Sequence, residues 1–398
     1  MPTATRIHNV TDSRRLARRV LPRAVFDYID GGAEDEVTMA ENERAFREIA
    51  LRPRMMTNVS RPCIETSVLG TPVALPVLLA PCGLIQLMHS DGTLGATRAA
   101  KRAGTISVLS TVAGIPPEAL AAEPGPRWFQ LYAADRDVAD QLMRRASASG
   151  FEVLVVTVDT PALGNRERDV RNGVAESLRL NLRSAIHLGP QFLARPGWSL
   201  RMLRGGMKLL GRAPGTPVTT DGSAPDDVEG AHGEPVGALA SAEKVVMLAS
   251  PFTGDDVAWI RSRWSGPLVV KGVLSGDDAL LAVEVGADAV VVSNHGGRQL
   301  EGAPASMRVL AEVVDAVADR AEVLVDGGVR RGSDVVKALA IGARAVMIGR
   351  PYLYALAAAG EAGVERILEV FSTEMTRTLS LLGCPGVSDL DRSWLLRG

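Results

Sequence analysis

Cysteine is scarce in this chain. Only Cys63, Cys82 and Cys384 are present, an odd number with wide spacing. Such usage fits a reducing compartment, and it argues against a disulfide framework or a cysteine-based zinc site.

Long apolar runs and strong net charge are also missing. Nowhere do about 18 apolar residues follow one another, so we expect no transmembrane helix. The formal net charge is -2 and no long basic run occurs, which makes nucleic acid an unexpected partner. The first residues lack the apolar core of a signal peptide. A cytoplasmic protein is therefore expected, unless another element holds it at the inner face of the cell membrane.

Repeated strand and helix patterns are what the sequence does contain. A chain of 398 residues with 46% hydrophobic content allows one barrel with additions, or two to three smaller domains. The repetition favours a single domain, 1–398, folded as a (β/α)8 TIM barrel with an N-terminal helical cap at 1–70. The eight strands are predicted at 73–83, 105–111, 127–132, 152–161, 266–272, 289–292, 322–332 and 344–351.

The N-terminal region 11–47 has the pattern of short helices. Thr11 or Asp12 is expected to cap the first helix and Pro22 to open the next. Gly31 and Gly32 are expected to end it.

A long insert interrupts the alternation after the fourth strand, at 183–242, and it exceeds an ordinary connection. Arg183 to Thr220 contains no acidic residue, and basic and apolar side chains fall on opposite sides of a predicted helix. The basic side carries Arg201, Arg204, Lys208 and Arg212, and the apolar side carries Trp198, Met202, Leu203, Met207 and Leu210. A membrane-interface helix, a lid on the barrel mouth and a subunit contact all fit this pattern. The Gly, Pro, Ser and Ala-rich stretch that follows predicts a mobile linker.

Polar residues recur where the predicted strands end. His295 follows the buried strand 289–292 and precedes two glycines, which fits either a turn or a catalytic position at the carboxyl rim of a barrel. A shared site explains the other strand-end residues as well, namely Ser110, Gln130, Tyr132, Asp159, Arg166, Lys271, Ser293, Arg298, Asp326, Arg330 and Arg350.

The loops DGGVRRG and GRP follow the seventh and eighth strands, where barrels commonly hold a phosphate. Their glycines let backbone N–H groups approach an anion, and Arg330 or Arg350 can add bidentate contacts. A phosphorylated ligand or cofactor is therefore expected, with plain glycine turns as the alternative.

Two arginines near a histidine predict an anionic substrate that loses a proton. Arg166 and Arg298 can grip a carboxylate. His295 can act as a base, helped by Asp159. Lys271 fits either a Schiff base or a fixed positive charge beside an anionic cofactor.

Together the motifs resemble the FMN-dependent α-hydroxy acid dehydrogenase and oxidase family, which includes mandelate dehydrogenase, L-lactate dehydrogenase and glycolate oxidase. The resemblance extends over about residues 8–390. It is carried by FDYIDGGAEDE, FQLY, TVDTP, VKGV, SNHGGRQLEG, DGGVRRGSDVVKALAIGA and IGRP.

The resemblance implies roles for the catalytic candidates. His295 would take the proton from the substrate hydroxyl as hydride passes to the flavin, with a carbanion route as the alternative, and Asp159 would stabilise the protonated imidazole. Lys271 would stabilise negative charge at the pyrimidine end of the flavin. The substrate carboxylate would be held by Arg298 and Arg166, with the phenols of Tyr28 and Tyr132.

The resemblance also implies FMN as the cofactor. Asp326 would bind the ribityl hydroxyls, and the phosphate would be held by Gly328, Arg330, Gly349 and Arg350. The other flavin contacts would come from Pro81, Cys82, Gly83, Ser110, Gln130, Thr157, Lys271 and Ser293.

Departures from the family pattern bear on substrate and acceptor. Val112 stands where glycolate oxidases carry tryptophan, which predicts a roomier pocket. Cys82 replaces the more usual threonine, and Gly83 resembles the dehydrogenases. The segment RPGWSLRMLRGGMKLL resembles the membrane-binding element of mandelate dehydrogenase, which favours a peripheral membrane contact through 186–212.

We therefore expect FMN-dependent oxidation of a mandelate- or lactate-like L-2-hydroxy acid to the 2-oxo acid, with a quinone-type electron acceptor and a homo-oligomer, a tetramer by resemblance. An oxidase that reduces oxygen to hydrogen peroxide is the alternative. A Lys271-dependent aldolase or isomerase and a non-catalytic scaffold are the rivals from other classes. No metal is expected.

Overall fold

Eight parallel strands close into a barrel in a computed structural model of the chain. The structure describes residues 4–133, 135–172, 189–210 and 252–397, with side chains for all of these except 204–210 and 397. The predicted (β/α)8 fold is confirmed. Within the described residues the strands are β1 (Ile49–Leu51), β2 (Thr66–Val68), β3 (Thr71–Val73), β4 (Val77–Leu79), β5 (Ser107–Ser110), β6 (Arg127–Leu131), β7 (Val153–Thr157), β8 (Leu268–Val273), β9 (Ala289–Val292), β10 (Glu322–Val325), β11 (Ala345–Ile348) and β12 (Leu395–Arg397). The barrel closes in the order β10-β11-β4-β5-β6-β7-β8-β9.

Both faces of the barrel strands are buried, which explains their continuous apolar sequences. One face fills the barrel interior, with side chains such as Trp128, Val291 and Met347, and the other packs beneath the helices. The hairpin β2–β3 contributes Val68 and Val73 to the interior cluster. The hairpin therefore blocks one end of the barrel, and the ligand cavity lies at the other.

Helices surround the barrel. Within the described residues they are α1 (Val10–Val20), α2 (Arg23–Asp30), α3 (Val37–Arg47), α4 (Gly92–Arg102), α5 (Arg136–Ala148), α6 (Glu167–Arg171), α7 (Pro196–Leu210), α8 (Gly254–Arg261), α9 (Gly276–Glu284), α10 (Ser306–Val317), α11 (Gly332–Ile341) and α12 (Arg350–Leu382), the last kinked at Ala359 and Gly360.

Two local expectations are wrong. Asn9, and not Thr11 or Asp12, caps α1, because its side chain accepts a hydrogen bond from the Asp12 backbone N–H at 2.8 Å. The apolar run 73–83 is not one strand, since Val73 pairs with Thr66 in the hairpin β2–β3 and the barrel strand begins only at Val77.

The N-terminal helices are fixed to the barrel through a buried carboxylate. The carboxylate of Asp30, at the end of α2, accepts hydrogen bonds from Nε and Nη2 of Arg14, from Nη1 of Arg168 and from the Tyr354 hydroxyl. Arg14 and Arg168 hold the pKa of Asp30 below its ordinary value despite its burial, which acts in the opposite direction. The carboxylate thus joins α1, α2, α6 and α12.

The insert contains the predicted helix, but some of its apolar side chains pack against the protein and others are exposed. Trp198 is buried, stacks on Phe192 and donates its indole N–H to the Leu87 carbonyl at 2.9 Å, whereas Leu203 is exposed. Arg201, on the predicted basic side, is half-buried. One part of the apolar side therefore attaches the helix to the protein, and another part faces outward.

Some predictions for the insert fall outside the described residues. These are the linker after 212, Arg212 itself, and the side chains of Arg204, Met207, Lys208 and Leu210. Among the described residues, we find no helix with both the length and the hydropathy needed to cross a bilayer.

Candidate active site

A cavity of about 330 Å³ opens at the carboxyl ends of the barrel strands. All of the predicted site residues except Asp159 and Ser293 line it. The two exceptions lie directly behind the lining, where each bonds to a lining residue. The residues that line the cavity are Tyr28, Pro81, Cys82, Gly83, Ser110, Gln130, Tyr132, Thr157, Arg166, Lys271, His295, Arg298, Asp326, Gly328, Arg330, Gly349 and Arg350.

His295 lies just past β9 with a left-handed backbone, φ 57°. Its Nδ1 is 3.0 Å from an Asp159 carboxylate oxygen, and its Nε2 is 3.4 Å from the Tyr132 hydroxyl. Burial lowers the pKa of His295, whereas Asp159 acts to raise it. Since the ionised carboxylate accepts a hydrogen bond from the Nδ1–H group, the free lone pair lies on Nε2, at the cavity.

Asp159 stays ionised although it is buried. Burial alone would raise the pKa of its carboxyl, but His295 and Lys271 outweigh that effect and lower the pKa. The carboxylate therefore fixes the orientation of the imidazole and can stabilise its protonated form.

Two guanidinium groups meet on one side of the cavity. Arg298 donates to the backbone carbonyls of Tyr28 and Gly31 and lies over the Tyr28 ring. Arg166 is held by Gln299, and its buried Nε has no hydrogen-bond partner among the described residues. Burial and repulsion from Arg298 lower the pKa of Arg166 to about 10. An anion placed between the two groups would relieve this repulsion and satisfy Nε.

Lys271 is a buried cation on β8. Its Nζ donates to Ser293 Oγ at 2.9 Å and lies 3.0 Å from Asp326 Oδ2. Burial lowers the pKa of Lys271, but Asp326 and Asp159 outweigh it, so the net pKa is raised and the charge is kept. Asp326 Oδ1 is buried with no partner among the described residues.

A row of hydrogen bonds crosses three neighbouring strands at the rim. Ser110 Oγ donates to Gln130 Oε1, and Gln130 Nε2 donates to Thr157 Oγ1. All three side chains are buried and line the cavity. The row presents both donors and acceptors to a ligand with mixed polarity.

The two glycine-rich loops form the opposite wall. A Cβ on Gly328 would lie 2.1 Å from the Asn42 carbonyl, so only glycine fits there, and φ is +88°. Gly349 precedes the N-terminus of α12, whose backbone N–H groups suit an anion. Arg330 forms an ion pair with Glu43.

Arg350 departs from the simple expectation of a phosphate clamp. Its guanidinium donates to the carbonyls of Ile29, Gly296 and Gly31 at 2.8–3.1 Å. Burial lowers its pKa to about 10. The side chain therefore connects α2 to the His295 loop. A phosphate contact from Arg350 would have to form in addition to these three hydrogen bonds.

The sequence and the fold match one family along nearly the whole chain. The model of the FMN-dependent dehydrogenase family matches residues 17–397. This chain belongs to the FMN-dependent dehydrogenases.

The relatives of this FMN-dependent dehydrogenase differ in the substrates and acceptors that their names state. It is 42% identical to an L-lactate oxidase of Nostoc sp. over 97% of both chains, and 41% identical to a putative L-lactate dehydrogenase of Mycobacterium tuberculosis over 96% of this chain and 87% of that one. The solved structure of a monotopic membrane protein, (S)-mandelate dehydrogenase, superposes with a TM-score of 0.85 at 36% identity and covers 98% of this chain and 100% of that one.

The cavity of this FMN-dependent dehydrogenase suits its cofactor. The unpartnered Asp326 Oδ1 offers an acceptor for ribityl hydroxyls. The row Ser110–Gln130–Thr157 and the cation Lys271 match the polar edge of a flavin ring. Gly328, Gly349 and the α12 N-terminus suit a phosphate. The residues present therefore fit FMN.

The sequence did not lead us to predict several residues that hold the site of this FMN-dependent dehydrogenase together. Asn42 and Asn294 exchange two hydrogen bonds of 2.8 Å, so α3 is fixed to the His295 loop. Gln299 connects Arg166 with the Asp159 carbonyl. Asn294 and Gln299 stand within SNHGGRQL and could have been found there. Asn42 has no local signal, because its partner lies 252 residues away.

Proposed function

We propose that this protein oxidises a mandelate- or lactate-like L-2-hydroxy acid to the 2-oxo acid, with His295 as the base and FMN as the cofactor. The observation that carries the proposal is the His295 imidazole, held at Nδ1 by Asp159, with Nε2 at a cavity that also contains two guanidinium groups.

Substrate binding rests on charge and on hydrogen bonds. Arg166 and Arg298 would hold the carboxylate between them, because the cavity brings both cations together and no carboxylate of the described residues is bonded to either. Burial raises the pKa of the Tyr28 and Tyr132 phenols, so both stay protonated and can donate to substrate oxygens. The acid would thereby be oriented with its hydroxyl near His295 Nε2.

The proton of that hydroxyl would pass to Nε2. Because burial lowers the pKa of His295, the imidazole is neutral and able to accept at neutral pH. Asp159, 3.0 Å from Nδ1, would stabilise the imidazolium that results. When bound, FMN would supply the acceptor for the hydride, that is, the hydrogen of the alcohol carbon together with two electrons. Lys271 keeps its positive charge at the cofactor wall and would favour negative charge there.

The substrate side chain would lie against Gly83, Val112 and Tyr28. These three are close neighbours, since a Cβ on Gly83 would lie 3.0 Å from Val112 Cγ2 and 3.1 Å from the Tyr28 hydroxyl. The absence of a larger side chain at Val112 leaves room for a phenyl or methyl substituent.

Anaerobic mixing of the yellow holoprotein with L-mandelate, L-lactate, glycolate and D-mandelate tests the proposal. We expect bleaching of the flavin absorbance with L-mandelate or L-lactate and none with D-mandelate. No bleaching with any 2-hydroxy acid would reject the function. The variant His295→Asn, loaded with FMN, is the matched control for the base.

Oxygen is the second candidate acceptor, and the identity with the Nostoc L-lactate oxidase favours it. Peroxide yield per substrate oxidised, measured with and without a quinone or dye acceptor, separates the two. A yield near one in the presence of quinone would make the protein an oxidase.

We also propose a quinone as the electron acceptor and a peripheral membrane contact through 186–212. Support comes from the exposed Leu193, Leu200 and Leu203 in the described part of the insert, and from the similarity to a monotopic membrane dehydrogenase. Deletion of 186–212 should release the protein from liposomes and leave flavin bleaching by substrate intact. Retained binding would place the contact elsewhere.

Assembly into a tetramer is a further proposal, which rests on the family resemblance. Sedimentation velocity of the holoprotein measures it, and a monomer at micromolar concentration would contradict it.

A further inference from the structure

A second cavity, of about 600 Å³, lies on the far side of α2 from the active site. Tyr28 and Ile29 of α2 line the active-site cavity, whereas Asp27 and Asp30 line this one. We name it the arginine cleft, and its lining residues are Arg14, Arg18, Leu21, Arg23, Phe26, Asp27, Asp30, Arg168 and Arg195.

Positive charge in the arginine cleft exceeds negative charge, with five guanidinium groups against two carboxylates. Asp30 is already engaged by Arg14 and Arg168, and Asp27 lies 3.3 Å from Arg23.

Arg18 and Arg195 form no ion pair with a carboxylate within the part of the chain that the structure describes. Arg195 is instead held in place by the Leu21 carbonyl, to which its Nε donates at 3.1 Å. Among the described residues, the cleft therefore contains two guanidinium groups without a carboxylate partner, one of them fixed by the fold.

The cleft adjoins the segment with the exposed leucines. Arg195 immediately precedes α7, and Leu193, two residues earlier, is 82% exposed, with Leu200 and Leu203 exposed on α7. A cationic recess beside exposed apolar side chains matches the order of layers in a bilayer, in which a phosphate lies next to the acyl region.

We propose that the arginine cleft binds the phosphate of an anionic phospholipid headgroup, with Arg18 and Arg195 as principal donors and Arg23 beside them. Guanidinium groups match phosphate oxygens in a bidentate geometry. The inference rests on the membrane contact proposed above and deepens it, since it names the lipid charge that the contact requires. Attachment would then combine apolar insertion of the leucines with recognition of one headgroup.

Vesicle co-sedimentation of the full-length, FMN-loaded protein tests the inference. Vesicles of phosphatidylcholine alone are compared with vesicles that also contain phosphatidylglycerol. The variant pair Arg18→Gln/Arg195→Gln is compared with Arg47→Gln/Arg144→Gln, which removes equal charge from exposed positions on α3 and α5 that do not line the cleft. Retained flavin absorbance shows that each variant is folded.

We expect tighter binding to the anionic vesicles, and a loss of about 25-fold in that affinity for the cleft variant, from roughly one kilocalorie per mole for each arginine. The control pair should lose much less. Equal losses in the two pairs would overturn the cleft as the site and leave only general charge attraction.

Other outcomes separate this inference from the claims beneath it. Equal binding to both vesicle types overturns the headgroup proposal and leaves the membrane contact standing. No vesicle binding by the unmodified protein overturns both, whereas bleaching by substrate still tests the oxidation independently.

Titration calorimetry with inorganic phosphate is the last experiment. Binding that the cleft variant abolishes, without any vesicle preference, would assign the cleft to a soluble anion and overturn the lipid proposal.

Discussion

The rim of the barrel and the insert after β7 are held to the protein in opposite ways. Side chains at the rim bond to segments distant in sequence, as Arg298 does with Tyr28 and Gly31 and as His295 does with Asp159. The described part of the insert is attached by hydrogen bonds of Gln191, Arg195 and Trp198, and it leaves leucines exposed. The rim is preorganised for chemistry, whereas the exposed leucines of the insert are available to contact another surface.

The largest expected effect lies at the rim. His295→Asn keeps a residue type that tolerates the left-handed backbone but removes the base. We expect kcat to fall by about 10²–10⁴-fold with FMN still bound. Steady-state rates with a soluble dye measure this. Turnover within a few-fold of the unmodified protein would refute the assignment.

The paired arginines come next. Arg166→Met removes one of the two half-buried guanidinium cations, and we expect a loss of about 2–5 kcal/mol, or roughly 30- to 5,000-fold in kcat/KM. Arg166→Lys keeps the charge and should recover part of the loss, mainly in KM. A lysine variant no better than the methionine one would show that bidentate geometry, and not charge, is decisive.

The acid side of the pH profile tests how Asp159 acts on His295. A protonated imidazole cannot accept a proton, so kcat/KM falls as the pH falls through the pKa of His295, which burial places below its ordinary 6.5. Asp159→Asn removes an attraction that raises this pKa. The acid limb should therefore move to lower pH, while the plateau rate falls. An acid limb that moves to higher pH would contradict the proposed action of Asp159 on the pKa of His295.

The pair of hydrogen bonds between Asn42 and Asn294, which connects α3 to the His295 loop, should matter more for the free energy of unfolding than for turnover. Asn42→Ala leaves the buried Asn294 amide without its reciprocal partner, and we expect a loss of about 1–3 kcal/mol in the free energy of unfolding. Asn58→Ala, at an exposed position, is the control. Urea denaturation followed by flavin fluorescence gives the free energy of unfolding of both variants. Equal losses would show that Asn42 does not stabilise the connection between α3 and the His295 loop.

The smallest effect is expected in the insert. Trp198→Ala should change Tm and dye-coupled turnover little, because α7 can detach locally while the barrel stays folded. Trp128→Ala, inside the barrel and fully buried, should cost about 3–5 kcal/mol. Similar losses from the two tryptophans would show that the insert is part of the cooperative core.

Features with a local origin were predictable from the sequence. The strand β9 occupies the predicted residues, because four apolar residues followed by a polar and glycine-rich turn have few other solutions. The cavity also gathers residues that each follow a strand, since parallel strands present their carboxyl ends at one rim.

Features that depend on distant partners were not predictable. Val73 is as apolar as Val77, and only the pairing of Val73 with Thr66 reveals that they belong to different strands. The flavin contact predicted for Ser293 stays a prediction, and the sequence did not show that its hydroxyl accepts hydrogen bonds from Lys271 and from the His295 backbone N–H behind the cavity wall. The three carbonyls around Arg350 come from the end of α2 and from the His295 loop, which no spacing rule connects.

Arg350 has a consequence for biosynthesis. Its guanidinium joins carbonyls near residue 30 to the catalytic loop, so the two ends of a sequence interval of more than 300 residues must meet before the pocket acquires its final shape. During translation this connection cannot form until the eighth barrel strand has left the ribosome. A nascent chain that stops earlier would lack the bond between its amino-terminal helices and the imidazole-bearing turn.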